Sequence, residues 1–313
     1  MVDVSVIIVT RNTCADTLEA IASVFDSRDS LAKEVFVVDN GSTDGSAQVI
    51  PARFPEVHYD ATGCNLGYPR AVNRAARRAT GEWLLLLNSD ARLQPDALAT
   101  AVAWMRAHSD CGIAGAQLLN PDGSRQNSIA NFPTLATELF NKSLLRRLFP
   151  RRFPGKEQAF TEPVDVETIV GAFSLIRRKV WDALGGFDER YFFFLEETDF
   201  CLEAKHAGFR VVHLPTVKVW HGQGQTAKQV AAGARIQYWR SRYLYFQKQH
   251  GAFACFVLRV GLLLRLLVNV LSGLVITGAT LGLAAKWRHK CGVYLAILGW
   301  HLRGCPAGAG LPK

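Results

Sequence analysis

The sequence predicts an α/β protein organised around a mostly parallel, doubly wound β-sheet. Short apolar runs alternate with helical segments, and each run ends at a cluster of polar side chains. The clearest run is Leu84–Leu87, which stops at Asn88-Ser89-Asp90. Four consecutive leucines are typical of a strand buried on both faces, as in a parallel sheet covered by helices. Strand, helix, strand and helix at this spacing predict right-handed crossover connections.

The elements of the first third follow from apolar periodicity. The predicted helix from about Thr13 to Asp26 places Leu18, Ile21 and Phe25 on one face. The helix that begins near Pro69 carries the polar residues Arg70, Asn73, Arg74, Arg77 and Arg78. The strands predicted here are Val4–Val9, Val35–Val38, Val57–Tyr59 and the leucine run.

The middle of the chain predicts further strands and helices around an irregular stretch. Asn120-Pro121-Asp122-Gly123 is a strong turn signal, and the residues from Ser124 to about Pro163 lack periodicity. The other predicted elements, in order, are a helix from about Pro95 to His108, a strand at Gly112–Leu119, a strand pattern at Val164–Ile176 interrupted by Gly171-Ala172-Phe173, a helix from Glu196 to Gly208, strands at Val211–Leu214 and Val217–Trp220, and a helix from Gln229 to His250.

Composition narrows the class of protein. The chain has 313 residues, is 49% hydrophobic and carries a net charge of +9, a balance that suits anionic lipid, a phosphorylated substrate or nucleic acid. Its seven cysteines are scattered and no two form a CxxC pair. This pattern predicts reduced thiols in a cytosolic protein and argues against a disulfide frame or a zinc site. The N-terminus lacks the basic segment of a signal peptide.

Three polar strand ends predict a nucleotide site. Thr10–Asn12, Asp39–Ser42 and Asn88–Asp90 each follow a predicted parallel strand, so they should meet at one sheet edge. No GxGxxG or GxxxxGK[ST] motif follows the first strand, which disfavours dinucleotide and P-loop folds. A diphosphate here would be neutralised by a metal held on Asp90. The alternatives are that Asp39 and Asn40 only form a turn and that Asp90 only caps the next helix.

Four segments, in order, carry a family resemblance: VSVIIVTRN, VFVVDNGSTDGS, NLGYPRAVNRA and LLLLNSDARL. Together they resemble the family 2 glycosyltransferases of GT-A fold, in particular the rhamnosyltransferase-like branch of bacterial surface-polysaccharide assembly. The resemblance extends from about Val4 to about Thr226. It implies a nucleotide-diphosphate sugar donor and a divalent metal, Mg²⁺ or Mn²⁺. The branch alone suggests deoxythymidine-diphosphate rhamnose.

The resemblance also assigns site residues. Asn88-Ser89-Asp90 stands where the family has its DxD-type motif, so Asp90 is the expected metal ligand, and Asn88 is a weaker ligand than the usual aspartate. His221 would complete the metal site, although a lone histidine after a strand is more often structural. Gly171 and Ala172 would line the acceptor side. The residues expected to bind the base and ribose or to shape the donor pocket are Thr10, Asn12, Asp39, Ser42, Asn65, Gly67 and Asn73.

A second polar cluster supplies candidate catalytic acids. The apolar stretch Tyr191–Leu195 is followed by Glu196, Glu197 and Asp199. An inverting sugar transfer needs a carboxylate to take the proton of the acceptor hydroxyl, and apolar neighbours would raise its pKa. The alternative is a set of acids that only favours the helix dipole. The resemblance places the base at Glu197, with Asp199 as the second candidate and Glu196 orienting the acceptor.

The C-terminal region has the character of a membrane-associating segment. Leu266–Ala285 is uncharged over about the length of a spanning helix, and Lys286, Arg288 and Lys290 follow it. A span or re-entrant hairpin, a helix lying in the interface, and a buried soluble helix remain alternatives, and the basic flanks favour the interface. The basic cluster Arg146–Arg152 would contact anionic lipid headgroups or the pyrophosphate of a lipid-linked acceptor, or form a solvated loop.

These observations predict a catalytic domain at residues 1–226 and a helical, membrane-associating region at 227–313. The expected function is an inverting, metal-dependent glycosyltransferase that acts on a lipid-linked saccharide at the cytoplasmic side of the inner membrane. A non-catalytic membrane adaptor and a sugar nucleotidyltransferase are alternatives. Nucleic acid is not an expected partner, because the positive charge is concentrated in one loop and beside the apolar segment.

Overall fold

The computed structural model describes residues 2–149, 159–222, 231–281, 283–306 and 308–312. Two sequence predictions lie outside them. The boundary between residues 226 and 227 falls in an undescribed stretch, and so do Pro150, Arg151, Arg152 and Lys156 of the basic loop.

The first third of the chain forms the predicted parallel sheet. β1 pairs with β2 and β4, β2 pairs with β3, and all three pairings are parallel. The buried apolar runs form the strands and the polar residues after them turn the chain into helices. The elements are β1 (Val4–Thr10), α1 (Cys14–Phe25), β2 (Lys33–Asp39), α2 (Ser46–Arg53), β3 (His58–Ala61), α3 (Tyr68–Ala76) and β4 (Trp83–Asn88).

The second part completes the sheet in the order β3-β2-β1-β4-β10-β6-β11-β5, with β8 beside β11. β10 is antiparallel to both β4 and β6, whereas β11 is parallel to β6. The elements are β5 (Ala91–Leu93), α4 (Ala97–Ala107), β6 (Cys111–Leu119), β7 (Ile129–Ala130), α5 (Leu135–Leu139), α6 (Lys142–Leu148), β8 (Val164–Asp165), β9 (Thr168–Ile169), β10 (Phe173–Arg177), α7 (Arg178–Leu184), α8 (Glu196–His206) and β11 (Arg210–His221).

The structure differs from two of the sequence predictions. The strands predicted at Val211–Leu214 and Val217–Trp220 are one strand, β11, whose register with β6 shifts between Leu214 and Lys218. The stretch from Ser124 to Pro163, predicted to be irregular, contains β7, α5 and α6. A capping box at Thr134 and an Asn141 side-chain cap start the two helices, a local signal that apolar periodicity does not report.

The sheet is covered on both faces, as the leucine run predicts. Leu85 and Leu87 join one core cluster, and Leu84 and Leu86 join the other. In β1, Val6 and Ile8 lie in the first cluster and Ile7 in the second. Side chains alternate across a strand, so a strand that is apolar at every position requires an apolar layer on each side.

Three helices form the C-terminal region: α9 (Ala231–Gln249), α10 (Gly251–Ala279) and α11 (Ala285–Leu302). α9 docks on the sheet domain, where Ser241 Oγ donates to the Phe193 carbonyl at 2.8 Å and Lys248 Nζ contacts Asp199 Oδ2 at 2.6 Å. A shared apolar cluster includes Tyr191 of the sheet domain and Trp239 of α9.

α10 leaves most of its apolar surface exposed. Among the described residues, it is the one helix long and apolar enough to cross a membrane, with a mean hydropathy of 2.1 and 28% burial in its most apolar window. Leu264, Val268, Leu271 and Val275 are each at least 60% exposed. This exposure differs from that of a soluble core helix.

Arg177 joins three elements of the sheet domain. Its guanidinium donates to the carbonyls of Met105 at 2.9 Å, His108 at 3.2 Å and Cys111 at 3.2 Å, and lies 4.5 Å from the centre of the Trp83 ring. We expect Arg177→Met to lower the free energy of unfolding by about 2–4 kcal/mol, because the end of α4 loses charged donors.

Chemical denaturation at neutral pH measures this change. The control is Arg106→Met on α4, whose exposed ion pair with Asp3 is screened by solvent and should contribute much less to stability. Equal effects of the two substitutions would contradict the role assigned to Arg177.

Candidate active site

A cavity of about 280 Å³ opens at the carboxyl ends of β1, β2 and β4. This is the position at which open α/β sheets bind ligands. The sequence-predicted residues that line it are Thr10, Asn65, Gly67, Asn88, Ser89, Asp90 and His221. The topology therefore brings most of the predicted donor and metal residues to one cavity, which we call the donor pocket.

Asp90 and His221 meet although they are far apart in the chain. The end of β11 pairs with β5, with His221 opposite Ala91. His221 Nε2 thereby lies 3.4 Å from Asp90 Oδ1 and 3.5 Å from Asn88 Nδ2. The side chains of His221 and Asp90 are 10% and 12% exposed, so the pair is largely shielded from solvent.

Gln126, which the sequence did not reveal as a site residue, fixes the tautomer of His221. Its Nε2 donates to the His221 carbonyl at 3.0 Å and to Asn120 Oδ1 at 3.1 Å. Its Oε1 therefore faces His221 Nδ1 at 2.7 Å, and Nδ1 must carry the proton. The lone pair of neutral His221 is thus on Nε2, directed at the Asp90 carboxylate.

This donor set fits a divalent cation. Two lone pairs that face each other repel unless a proton or a cation lies between them. A carboxylate beside an imidazole whose other nitrogen is hydrogen-bonded is a common metal-binding arrangement. In the part of the chain that the structure describes, no group of three or more His, Cys, Asp or Glu side chains is placed to hold a metal ion. A cation here would need further ligands from Asn88, the substrate or water.

Asp39, Ser42 and Asn12 lie at the ends of β1 and β2, beside the donor pocket. Asp39 Oδ1 accepts from the Ser42 amide at 2.7 Å, and the other carboxylate oxygen accepts from the Tyr59 hydroxyl. The backbone amide of Asn12 donates to Ser42 Oγ at 3.0 Å. The side-chain oxygen of Asn12, Oδ1, accepts from the backbone amide of Thr43 at 2.7 Å. The three predicted residues thus hold the strand-end turns together and do not line the cavity itself.

Several lining residues were not assigned a role of their own from sequence. Asn40 belongs to the predicted strand end Asp39–Ser42, where a turn role was the alternative; it donates to Asn65 Oδ1 at 2.9 Å and accepts from the Leu66 amide at 2.8 Å. Arg11 also lines the cavity, and its buried Nε has no hydrogen-bond partner among the described residues. Arg11 belongs to the predicted strand end Thr10–Asn12, and its position there was the sequence feature that could have identified it as a site residue. Leu311 lies at the cavity as well.

Gly67 allows an aromatic wall to close the pocket. Its φ is +85°, and a Cβ at this position would lie 2.7 Å from the Phe192 carbonyl oxygen. The Tyr68 amide donates to the same carbonyl at 2.8 Å. Tyr68, Phe192, Phe193 and Phe194 all line the cavity. Only glycine permits the approach of backbone to backbone that places this wall.

Asn73 does not lie at the pocket, in contrast to its sequence assignment. Its side-chain amide donates to the Phe187 carbonyl at 2.8 Å and to Glu189 Oε1 at 3.1 Å, and its Oδ1 accepts from the Phe187 amide at 3.0 Å. Asn73 is 6% exposed and fixes the turn that leads to the aromatic wall. The helical pattern of α3 did not reveal which face Asn73 occupies.

The chain enters α8 through strained backbone. Phe194 and Leu195 have φ values of 73° and 67°, which residues with side chains rarely adopt. Such strain costs about 1–3 kcal/mol per residue and persists only where the surrounding structure enforces it. Here it directs the first turn of α8, with Glu196 and Glu197, behind the aromatic wall.

Glu197 lies beside the predicted acceptor residues. A Cβ on Gly171 would lie 3.7 Å from Glu197 Oε1. The carbonyl of Ala172, the next residue, accepts from the Asn88 amide at 3.1 Å, although Ala172 itself is fully buried. Glu197 is thereby placed next to the end of β4. Burial raises the pKa of Glu197 above its ordinary value, in the direction that suits a general base.

The other two acids are more enclosed. Glu196 is 4% exposed, and its Oε2 has no partner among the described residues. Burial, and then the charge of Glu197, raise its pKa well above the ordinary value. Asp199 accepts from Lys248 at 2.6 Å and from Gln249 at 2.7 Å, so it anchors α9 to α8. These contacts leave Glu197 as the acid best placed for proton transfer.

Comparisons with known proteins identify the family of the chain. A family model described as glycosyl transferase family 2 matches residues 5–185. The chain is 32% identical over 247 residues to an N-acetylglucosaminyl-diphospho-decaprenol L-rhamnosyltransferase of Mycobacterium tuberculosis, and the alignment covers 72% of this chain and 79% of that relative.

Solved structures share the fold. The mannosyltransferase PcManGT from Pyrobaculum calidifontis, in complex with GDP-Man and Mn²⁺, has a TM-score of 0.53 at 18% identity. The superposition covers 96% of this chain and 86% of the mannosyltransferase chain. TarS 1–349 of S. aureus has a TM-score of 0.54 at 16% identity. The superposition covers 79% of this chain and 66% of the TarS chain. The predicted GT-A fold is confirmed.

The buried Glu196 predicts a stability that depends on pH. Its pKa is raised in the folded state, so the folded chain binds this proton more tightly than the unfolded chain does. Stability is therefore lost as the pH rises above the unfolded value of about 4.5. We expect Glu196→Gln to be more stable than the parent at pH 8, by about 1–3 kcal/mol, with a difference that narrows towards pH 4.5.

Urea denaturation across this pH range measures the difference, with the exposed Glu56→Gln as the control. A Glu196→Gln variant that is less stable than the parent at pH 8 would contradict the burial of an unpaired carboxyl group.

Proposed function

The chain belongs to glycosyl transferase family 2, and on that premise we propose that it is an inverting, metal-dependent transferase acting on a lipid-linked saccharide. The activity class, glycosyltransferase, follows from the family. The donor, the metal and the stereochemistry are parts of the proposal. The observation that carries it is that Asp90 and His221 meet at the carboxyl ends of the strands, while Glu197 lies beside Gly171, next to the end of β4.

In the proposed reaction, Glu197 is the general base. It accepts the proton of an acceptor hydroxyl while that oxygen bonds to the anomeric carbon and the bond to the nucleoside diphosphate breaks. A single displacement from the face opposite the leaving group inverts the anomeric centre. The aromatic wall of Phe192–Phe194 excludes water, and burial supports the raised pKa that the base requires.

The leaving diphosphate would be bound by the opposite side of the pocket. Asp90 and His221 Nε2, with Asn88 close by, would hold a divalent cation, which when bound neutralises the charge that develops on the diphosphate. Arg11 supplies a guanidinium on the same side, and its unpartnered Nε fits a phosphate oxygen. Asn40, Asn65 and Thr10 would contact the nucleoside.

The substrates are proposed from the relatives. The mycobacterial relative is named for transfer of L-rhamnose to N-acetylglucosaminyl-diphospho-decaprenol, and a second relative, at 26% identity, is the rhamnosyltransferase WbbL of Escherichia coli. We propose deoxythymidine-diphosphate rhamnose as donor and a polyprenyl-diphosphate saccharide as acceptor.

The C-terminal helices would place the enzyme at the membrane. The exposed apolar side of α10 and the basic residues Lys286, Arg288 and Lys290 at the start of α11 suit the cytoplasmic face of an inner membrane. The division into a catalytic domain at 1–226 and a membrane-associating region at 227–313 is part of the same proposal.

The base assignment predicts a selective loss of turnover. We expect Glu197→Gln to lower kcat for rhamnose transfer to decaprenyl-diphosphate N-acetylglucosamine by about 10²–10⁴-fold, because the amide cannot accept the proton. The thermal shift caused by the donor nucleotide should be unchanged. In the parent, kcat/KM should fall as the pH drops through the raised pKa of Glu197.

The matched control is Glu203→Gln, further along the same helix, which should keep full activity. A Glu197→Gln enzyme with parental kcat would refute the assignment of Glu197 as the base and would leave Asp199 as the remaining candidate.

The role of Gln126 predicts a metal phenotype that does not depend on turnover. We expect Gln126→Leu to raise the Mn²⁺ concentration needed for the metal-dependent thermal shift with deoxythymidine diphosphate by about 10–100-fold, because His221 loses its orienting partner. Ser124→Ala, in the same turn, is the control. Identical Mn²⁺ titrations of the parent and Gln126→Leu would show that His221 does not bind the metal.

A further inference from the structure

A second cavity, which we call the basic cleft, lies among the three C-terminal helices. It has a volume of about 400 Å³, and α9, α10 and α11 each contribute to its lining. Its cationic side chains are Arg235, Arg242, Arg265 and Lys290, and the rings of Tyr238 and Trp239 form part of its wall. None of the described residues that line it is acidic.

The buried side chain of Arg242 shows that the basic cleft is preorganised to bind a ligand. Its side chain is 6% exposed and donates to Glu138 Oε2 at 2.8 Å, while the guanidinium lies 4.7 Å from the ring centre of Tyr238 and 5.0 Å from that of Trp239. Its Nε is buried without a hydrogen-bond partner among the described residues. An unsatisfied buried donor is costly, so this nitrogen fits an acceptor that the protein itself does not provide.

The charge of the basic cleft is not balanced by the protein. Glu138 contacts Arg242 at 2.8 Å and also Lys142 at 3.3 Å. Arg235, Arg265 and Lys290 have no carboxylate within ion-pair distance in the described ranges, although Arg265 donates to the Glu138 carbonyl at 3.0 Å. Three like charges around one cavity repel, and a multivalent anion removes that repulsion. Guanidinium groups suit phosphate oxygens in particular.

The basic cleft lies beside the catalytic carboxylate. The Tyr238 ring packs edge-on against Phe194, which lines the donor pocket, with 5.6 Å between ring centres. One layer of aromatic side chains therefore separates the two cavities. Phe194 lies three residues before Glu197, at the entry to α8, so this aromatic layer adjoins the proposed base.

α10 connects the basic cleft to an exposed apolar surface. Arg265 and Asn269 face the cleft. Leu264, Leu267, Val268 and Leu271 are at least 43% exposed, and these four residues are the outer apolar face. One helix thus presents phosphate-binding chemistry on one side and a surface for hydrocarbon on the other, which matches a lipid with an anionic head.

We propose that the basic cleft binds the diphosphate of the polyprenyl-linked acceptor, with the polyprenyl chain along the outer apolar face of α10. This inference rests on the proposed function and deepens it. The saccharide attached to the diphosphate then extends past Tyr238 towards Glu197. An anionic phospholipid headgroup shares the phosphate chemistry, and the geometry favours the acceptor because the cleft adjoins the catalytic acid.

Vesicle flotation of the full chain tests the proposal without turnover. Phosphatidylcholine vesicles carry either decaprenyl diphosphate or phosphatidylglycerol at equal lipid charge. We expect tighter binding to the decaprenyl diphosphate vesicles. The substitution Lys290→Gln, at an exposed position, should weaken this binding. The double substitution Arg265→Gln with Lys290→Gln should weaken it by about tenfold or more, because charge-assisted hydrogen bonds are lost.

Arg288→Gln is the matched control. It removes the same charge from α11, but Arg288 lies outside the residues that line the basic cleft. It should lower binding to both vesicle types to the same extent, and so keep the preference for decaprenyl diphosphate over phosphatidylglycerol vesicles. Equal binding to both vesicle types, or equal losses in Arg288→Gln and Lys290→Gln, would overturn the proposal and indicate general attraction to anionic membranes.

A transfer assay separates this inference from the proposed function. The double substitution should raise the acceptor KM by about tenfold and leave the donor KM unchanged. If the enzyme transfers sugar but the acceptor KM does not change, the cleft assignment is wrong and the proposed function stands. If cleft-dependent binding is present and no transfer occurs, the proposed function is wrong and the lipid diphosphate site stands.

Discussion

The register of β11 is the constraint on which the rest of the site depends. This strand runs parallel to β6 and shifts register between Leu214 and Lys218, so that its end pairs with β5 and places His221 opposite Ala91. Successive side chains of a strand point to opposite faces, so a slip of one residue would turn His221 away from Asp90. The register shift in β11 is therefore required for the contact between His221 and Asp90, and Gln126 holds His221 to one tautomer.

The same sheet edge organises the proposed reaction from donor to membrane. Asp90 and His221 lie on one side of the donor pocket, and the Ala172–Asn88 hydrogen bond brings Glu197 next to it. Behind Glu197, Asp199 binds Lys248 and Gln249, which fixes α9 to the acid-bearing helix. The proposed order is donor, base, acceptor diphosphate and lipid surface. This arrangement explains why an aspartate that the sequence marked as a second base candidate is used as an anchor.

Much of the fold could be predicted because each buried strand is a continuous apolar run. Leu84–Leu87 predicted a sheet covered on both faces, and the polar ends after β1, β2 and β4 predicted the edge at which a cavity opens. Asp90 and His221 were paired through the family resemblance. The family resemblance assigned Asn73 to the pocket, whereas its side chain binds the backbone of Phe187, because the sequence does not show which side of α3 faces the strand ends. Gln126 and the basic cleft depend on contacts between residues far apart in the chain, which local periodicity does not encode.

The most direct measurement of the central arrangement is the anomalous scattering of Mn²⁺ in crystals grown with deoxythymidine diphosphate. The convergence of strand ends predicts one strong peak within coordination distance of an Asp90 oxygen and His221 Nε2, on the pocket side that faces Glu197. A peak bound by other side chains, with His221 Nε2 still directed at Asp90 alone, would contradict the account.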